Sequence, residues 1–503
     1  MTESITVEQA GEALVLTDDQ QTSYDEVMAW LTERDPSVKQ PDGIDLRYRR
    51  PKFALPAGAE AWFKDNQDDY FVLKGFAGTG KSTLTSKLIK DLSAQDWNMA
   101  VCAPTNKAVG VIQEKVRDAM GDSVLAATFC SLHSVCGIRM IETDDGHHIA
   151  SDSGLSNLNQ YDLVIIDEAS MVDTAMLLRS VQSGRGSCLV LFVGDPAQLP
   201  PVIEKSVAKL FRLPRGSMLS EITRVAAGNP LIAAAMHVRK KNRCDELLSE
   251  GADEIFAGMG PDDRVKPSDL MEWLPESMVR GSSALAQIGI DLQREGHDAR
   301  VIAYRNSTVL RNNENAHFAL HPSSGYTLFS VGERVIVQSA CKAESLDTGK
   351  TVDLVTSEEL VVEYVELTKH PLYPTINVYQ LALRDYLGNS VVVYVPKLMT
   401  AFKHHCAKLF DEVRDLSQQL KRRYSIQVSD QLRRARGEAW GFKNSFAEIR
   451  HTYSITAHKS QGSTFDIVLI DLLDLMTMQS AFEFNCALYV ALTRARLRAY
   501  ISY

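Results

Sequence analysis

The chain is short of several things, and each shortage removes a class of protein. Its eight cysteines include no C-x-x-C pair, so neither a disulfide framework nor a paired-cysteine zinc ribbon is written in it, and free thiols are expected. Cys130, His133 and Cys136 lie close together, as do His404, His405 and Cys406, but neither group has a second ligand pair at zinc spacing. No apolar run reaches the roughly 18 residues that a bilayer span requires. The opening "MTESITVEQAGEALVL" lacks the basic and apolar regions of a secretory leader, so no membrane partner and a cytoplasmic setting are expected. Positive charge is in deficit, with 54 Lys and Arg against 64 Asp and Glu and a net charge of −10, which weighs against a dedicated duplex clamp. There is no internal repeat, no low-complexity tract and no carboxylate cluster of the kind a nuclease needs.

The remaining composition is that of an ordinary globular chain, 45% hydrophobic and 23% charged, and 503 residues are too many for one core. Between about 70 and 200, "DYFVLKG", "NMAVCAP", "YDLVIIDE" and "SCLVLFVGD" read as strands buried on both faces, alternating with helical patterns. That is the grammar of a parallel sheet in an α/β domain. It returns in "ARVIAYRNS" (299–307), "FDIVLIDLL" (465–473) and "RAYISY" (498–503). From 332 to 396 the text is β-branched, alternating and turn-punctuated, as in a small antiparallel barrel. Pro396 is expected to open a long helix whose stripe is Leu398, Phe402, Cys406, Leu409, Val413, Leu416 and Leu420. Residues 34–52 read as a surface insertion.

"GFAGTGKS", Gly75 to Ser82, follows one of these strands and precedes a helix. In that context G-x-x-x-x-G-K-[ST] is a phosphate-binding loop. Gly78 and Gly80, flanking Thr79, let the backbone turn its N–H groups toward phosphate oxygens at the helix N-terminus. Lys81 supplies charge to the β- and γ-phosphates, Ser82 offers a hydroxyl to Mg²⁺, and Thr83 continues the first turn. "LVIIDEAS" (163–170) places Asp167 at a strand end to hold the magnesium and Glu168 to polarise the attacking water. Gln198, in "FVGDPAQLPPV", is a candidate γ-phosphate sensor. ATP and Mg²⁺ are the cofactors this set implies.

Read together, these stretches resemble superfamily-one helicases of the 5′→3′ branch that contains RecD and Dda. The resemblance gives Gln20, in "LTDDQQ", as the opening glutamine that reaches the adenine. It implies that Pro104, Thr105 and Asn106 of "CAPTNKAVGVI", and His133 of "SLHSVCGI", lie along a single strand. "LSEITR" supplies Arg224 toward the phosphates, and Val225 stands where the family often has Gln. "YSITAHKSQGSTFD" supplies Thr456, His458 and Lys459 to nucleic acid, with Gly462 at the nucleotide. "YVALTRAR" supplies Arg494.

The implied architecture is two RecA-like parallel-sheet domains. The first would cover 1–220, with a hairpin at 137–160 acting as a strand-separating pin. The second would cover 221–331 and 451–503, interrupted at 332–450 by an SH3-like β-barrel and the long helix, which would brace the barrel against the first domain.

The implied activity is an ATP-dependent DNA helicase acting as a monomer on single-stranded DNA and forked or tailed duplexes, with replication, recombination or repair proteins as partners. Two other readings stay open on the residues alone. One is a strand-stimulated ATPase or translocase that separates no duplex. The other is a non-motor P-loop protein, whose turnover would ignore added oligonucleotide.

Overall fold

A computed structural model describes residues 16–33, 69–120, 127–142, 148–152, 156–184, 188–202, 204–222, 229–244, 246–248, 255, 258–322, 327–385, 388–422 and 425–503. The expected surface insertion at 34–52 and Arg224 lie outside the described residues. The chain divides into two compact units, one of residues 1–138, 152–282 and 460–503, the other of residues 139–151 and 283–459.

The first unit is organised by a six-stranded sheet. Its strands are β1 (Tyr70–Gly75), β2 (Met99–Ala103) and β3 (Ala127–Ser131). After a two-stranded hairpin of β4 (Ile138–Glu142) and β5 (His148–Asp152) come β6 (Leu163–Ile166), β7 (Leu189–Gly194) and β8 (Gly216–Leu219). The spatial order is β3-β2-β6-β7-β1-β8, and every pairing is parallel. All of β2, β6 and β7 is buried, which is why their text is continuously apolar rather than alternating. Helices Asp18–Glu33, Lys81–Ser93 and Asn106–Met120 supply the other side of one core. There Val27, Trp30 and Leu31 meet Phe71, Leu84, Leu88 and Val109, with the Trp30 and Phe71 rings 5.5 Å apart. A further parallel set, Phe465–Ile470, Ala495–Ser502 and Met278–Val279, belongs to the same unit.

The strands read from sequence are found at β1, β2, β6 and β7. The short β3 and β8 were not anticipated, because five and four residues bearing Gly, Ser and Thr carry little periodicity. The hairpin expected at 137–160 forms as β4 and β5, and the D-D-G turn joining them lies outside the described residues.

In the second unit, Ala299–Ala303 pairs in parallel with Ser454–Thr456, and the helix Asn306–Leu320 follows the first of these strands. An antiparallel seven-stranded sheet makes up the insertion. Its order is Thr351–Leu354, Cys341–Ser345, Ser390–Pro396, Asn377–Arg384, Glu359–Lys369, Arg334–Val337 and Ile449–His451. The insertion thus leaves through its first strand and returns beside it, since 334–337 pairs with 449–451. Its interior holds Val335, Leu360, Tyr379, Leu381, Val393 and Ile449.

One expectation is corrected here. Pro396 does not open the helix: it is the last residue of a strand, opposite Val378, where the missing N–H is tolerated at a strand end. The helix begins at Met399 and runs to Arg422, leaving Leu398 exposed. The apolar stripe has its partner within its own unit. It packs on a second helix, Ile426–Asn444, through Leu409, Val413, Leu416 and Leu420 against Leu432, Ala435 and Ala439. Phe402, Phe442 and Phe446 close the base of this helical hairpin, with Tyr373 and His405 against the Phe442 ring.

Phe442 is 1% exposed, and its replacement by alanine removes the ring that joins both helices to the sheet. Phe442→Ala is expected to cost about 3–5 kcal/mol, read as a loss of thermal stability. ATP turnover at 20 °C should stay near the parental rate.

Candidate nucleotide and nucleic-acid sites

The phosphate loop leaves β1 at Gly75. Gly78 and Gly80 have φ of 85° and 81°, a left-handed backbone open to glycine at little cost. Gly80 is also the N-cap of helix Lys81–Ser93 and offers no side-chain cap, so no capping side chain covers the first N–H groups of the helix, a geometry suited to an anion. Lys81 Nζ donates to the carbonyls of Gly75 and Phe76, at 2.8 and 2.9 Å. Burial lowers its pKa, and the carboxylates of Asp195, Glu168 and Asp167 oppose that shift. Gln20 is buried in the helix Asp18–Glu33 and donates through Nε2 to Thr79 O at 3.0 Å. The opening glutamine therefore reaches the loop despite the long spacer between them.

At the end of β6, burial and the neighbouring Glu168 push the Asp167 carboxyl up to about 6, with Lys115 and Lys81 pulling the other way. Lys115 Nζ also donates to Ser82 Oγ at 3.2 Å. Glu168 holds a left-handed backbone at φ 51°, uncommon for a residue with a side chain and often found where function over-determines geometry.

The C-terminal segment comes to these groups within the same unit. Gln461 Nε2 donates to Gln198 Oε1 at 3.0 Å and to Ser170 Oγ at 3.0 Å, and it lies 3.4 Å from Glu168 Oε2. Its own Oε1 is buried without a hydrogen-bond partner. Gly462, at φ 77°, is adjacent, and a Cβ there would lie 3.7 Å from Glu168 Oε1. Arg494 is 6% exposed. Its guanidinium donates to Val490 O, Ser463 O and Thr493 Oγ1, and it lies near enough to Lys81 to disfavour that charge.

Behind the loop sits a hub that sequence reasoning missed. Asp195, 1% exposed, accepts from Arg239 Nη1 at 2.8 Å and from Ala197 N at 3.0 Å on one oxygen. Its other oxygen accepts from Tyr489 Oη at 2.7 Å. Tyr489 Oη in turn accepts from the loop amide of Ala77 at 3.0 Å, and the Arg239 guanidinium stacks 4.1 Å over Phe76. Burial and Asp195 push the Tyr489 phenol far up, so it stays a donor. A cavity of about 340 Å³ opens beside this arrangement, lined by Ala77, Gly78, Ile232, Met236, Tyr489 and Arg496 among others.

The nucleic-acid candidates divide between the units. In the first, Thr105 and Asn106 are exposed at the end of β2 and Pro104 is half-buried. Thr105 Oγ1 accepts from Ala108 N at 3.2 Å at the start of the helix Asn106–Met120. His133 is half-buried, with its pKa lowered by burial against an opposing pull from Asp173. In the second unit Thr456 is buried and accepts from Lys459 N at 3.2 Å. Lys459 Nζ donates to Gln338 Oε1 at 2.7 Å, and burial lowers the pKa of His458.

Comparison with known proteins gives two family matches. Residues 60–254 match the family described as AAA domain, and residues 451–502 match the UvrD-like helicase C-terminal domain. The chain is thus similar to an AAA domain over one stretch and to a helicase C-terminal domain at its end. It is similar to the RecD subunit of the RecBCD enzyme of Mycobacterium tuberculosis, at 27% identity over 47% of this chain and 39% of that protein. It is 33% identical to the ATP-dependent RecD2 DNA helicase of Deinococcus radiodurans, over 33% of this chain and 21% of that protein. It therefore spans well under half the length of either bacterial relative. A solved structure of Pif1 helicase from Bacteroides in complex with ADP-AlF3 and single-stranded DNA aligns at 18% identity. The TM-score is 0.47, over 90% of this chain and 92% of that one.

Tyr489→Phe leaves the Asp195 carboxylate one donor short and the Ala77 amide without its acceptor. It should cost about 1–3 kcal/mol of stability and raise the ATP concentration needed for half-maximal turnover. Gln461→Ala should instead lower maximal turnover with nucleotide binding near normal. Fluorescent-nucleotide binding and steady-state ATPase assays separate the two effects.

Proposed function

We propose that this chain is a superfamily-one helicase that hydrolyses ATP as it moves 5′→3′ along single-stranded DNA and opens duplex ahead of it. The observation that carries the reading is the contact of Gln461 with Gln198, Ser170 and Glu168. A residue of the C-terminal motif touches both the candidate water-polarising carboxylate and the candidate γ-phosphate sensor. A bare nucleotide switch has no need of such a link. The motif also crosses from one unit to the other: Thr456, His458 and Lys459 belong to the second, Gln461 and Gly462 to the first. A change of nucleotide state felt at Gln461 is thereby passed along a few peptide units to the residues proposed to grip DNA.

In this mechanism the N-terminal amides of helix Lys81–Ser93 and the Lys81 ammonium receive the β- and γ-phosphates. Ser82 and Asp167 suit Mg²⁺, since a hydroxyl and a buried carboxylate are hard oxygen donors. The ion supplies charge neutralisation on the phosphates. Glu168 orients and deprotonates the attacking water, and Gln198 positions it. Arg494 must exchange its bonds to Val490 O and Ser463 O for a phosphate oxygen, and Arg224 is proposed as a second cation. Charge stabilisation of this kind is worth ~10³–10⁵ in rate. Gln20 fixes the loop from the adenine side.

Pro104, Thr105, Asn106 and His133 line the strand on one domain, and Thr456, His458 and Lys459 on the other. The partition into 1–220, 221–331 with 451–503, and an insertion at 332–450 whose sheet is an SH3-like barrel is part of the proposal. So is action as a monomer on forked or tailed duplexes, with replication, recombination or repair proteins as partners.

ATP turnover should rise at least tenfold with single-stranded DNA, and forks with a 5′ tail should open while 3′-tailed ones do not. Lys81→Ala should abolish turnover, whereas Arg494→Ala should lower it steeply with ATP still bound. Turnover indifferent to DNA would refute the motor. Deleting 140–150 is expected to abolish unwinding while sparing DNA-stimulated hydrolysis, and equal loss of both activities would count against a pin.

A further inference from the structure

The helix Asn306–Leu320 carries His317 in its last turn, and His321 follows as its C-cap, its N–H donating to the carbonyl of His317. They meet Glu333, which stands just before the first strand of the inserted sheet, and His451, the last residue of its closing strand. None of these groups enters the ATPase mechanism. His317 Nε2 lies 3.0 Å from the carbonyl of Thr327. A carbonyl only accepts, so that nitrogen carries the proton, and the lone pair of a neutral ring then falls on Nδ1.

Nδ1 faces Glu333 Oε1 at 2.8 Å, a contact that either a second ring proton or a bound cation must fill. The same oxygen already accepts from Tyr453 Oη at 2.7 Å. His451 Nδ1 stands 3.1 Å from that oxygen too, yet it is buried and makes no hydrogen bond. His321 Nε2 is 3.1 Å from Tyr453 Oη, and ligand atoms of His317, His321 and Glu333 lie within 4.8 Å of one another. The His317 and His451 rings are stacked, with centroids 4.8 Å apart.

We propose that His317, His321, His451 and Glu333 bind one Zn²⁺. Imidazole nitrogens with a single carboxylate oxygen form a donor set zinc favours. Two ligand edges at Glu333 are 2.8 and 3.1 Å, and a turn of the half-buried His321 ring would draw the 4.8 Å span of the set in to tetrahedral bonds of about 2.0–2.2 Å. The Thr327 carbonyl plays the part of the outer acceptor that fixes a ligating histidine's tautomer. Because Glu333 and His451 are the entry and exit of the 334–450 insertion, the ion ties its two ends to helix 306–320. The two buried histidines and buried carboxylate leave no open coordination face, so the site is structural rather than catalytic.

The test uses the full-length protein with any affinity tag removed. After chelator treatment and desalting, Zn²⁺ is added, excess is removed, and metal is counted by mass spectrometry. One equivalent per chain is expected, with a rise in melting temperature. Co²⁺ in its place should give the intense visible absorption of a tetrahedral site. His321→Gln and His451→Gln should each weaken Zn²⁺ at least about tenfold and remove the thermal shift, while the parental DNA-stimulated ATPase is kept as a check on folding. If either variant fails to fold, protection of the wild-type histidines from diethylpyrocarbonate by Zn²⁺ serves instead. Less than a tenth of an equivalent retained by wild type, or uptake unchanged in both variants, overturns the site. A Zn²⁺ signal that Asp167→Asn removes and His321→Gln leaves intact overturns it as well.

Discussion

The nucleotide site depends on one buried carboxylate. Asp195 takes an ion pair from Arg239 and a hydroxyl from Tyr489, and through that hydroxyl it holds the amide of Ala77 in the phosphate loop. Four segments far apart in sequence are thereby fixed to one another: the loop after β1, the turn after β7, the helix Pro230–Lys241 and the helix Ala481–Thr493. Removing either charge would strand the other in a dry interior, at about 3–5 kcal/mol. A loop that must present several backbone amides to a polyanion gains from being held this firmly, because geometry lost there is lost for every phosphate contact at once.

Around that hub the chain separates holding from sensing. Gln20, Tyr489 and Arg239 hold the loop from behind, contacting the Thr79 carbonyl, the Ala77 amide and the Phe76 ring. Glu168, Gln198 and Gln461 face one another on the reactive side, joined by hydrogen bonds among uncharged amides and one carboxylate. Amide–amide bonds break and re-form with small net cost, which suits the rearrangement that the proposed mechanism asks of these groups. The ion pair, by contrast, is built to persist.

Much of this was legible in the sequence wherever the chemistry is local. The phosphate loop, Asp167 and Glu168 follow strands whose unbroken apolar runs announce burial on both faces. Tyr489 and Gln461 lay inside stretches already singled out, but nothing in spacing says that a tyrosine will bridge an amide and a carboxylate. Arg239 was concealed by its neighbours: "VRKKNR" reads as a solvated basic run, yet Arg239 is 3% exposed while Lys240 is exposed. A single helical turn carries one cation inward and its neighbour outward, and only the packing partner, Asp195, tells which. The hidden strands at 127–131 and 216–219 and the second helix of the hairpin were missed for a related reason: short or charge-rich text gains its structure from what it packs against.

The hydrogen bonds of Lys81 have their own consequence. Two of its three N–H donors go to the Gly75 and Phe76 carbonyls, so the backbone of the loop aims the ammonium across its own turn. A cation tethered in this way is a fixed point of charge, and its pull is strongest on whichever visitor brings the most negative charge to that turn.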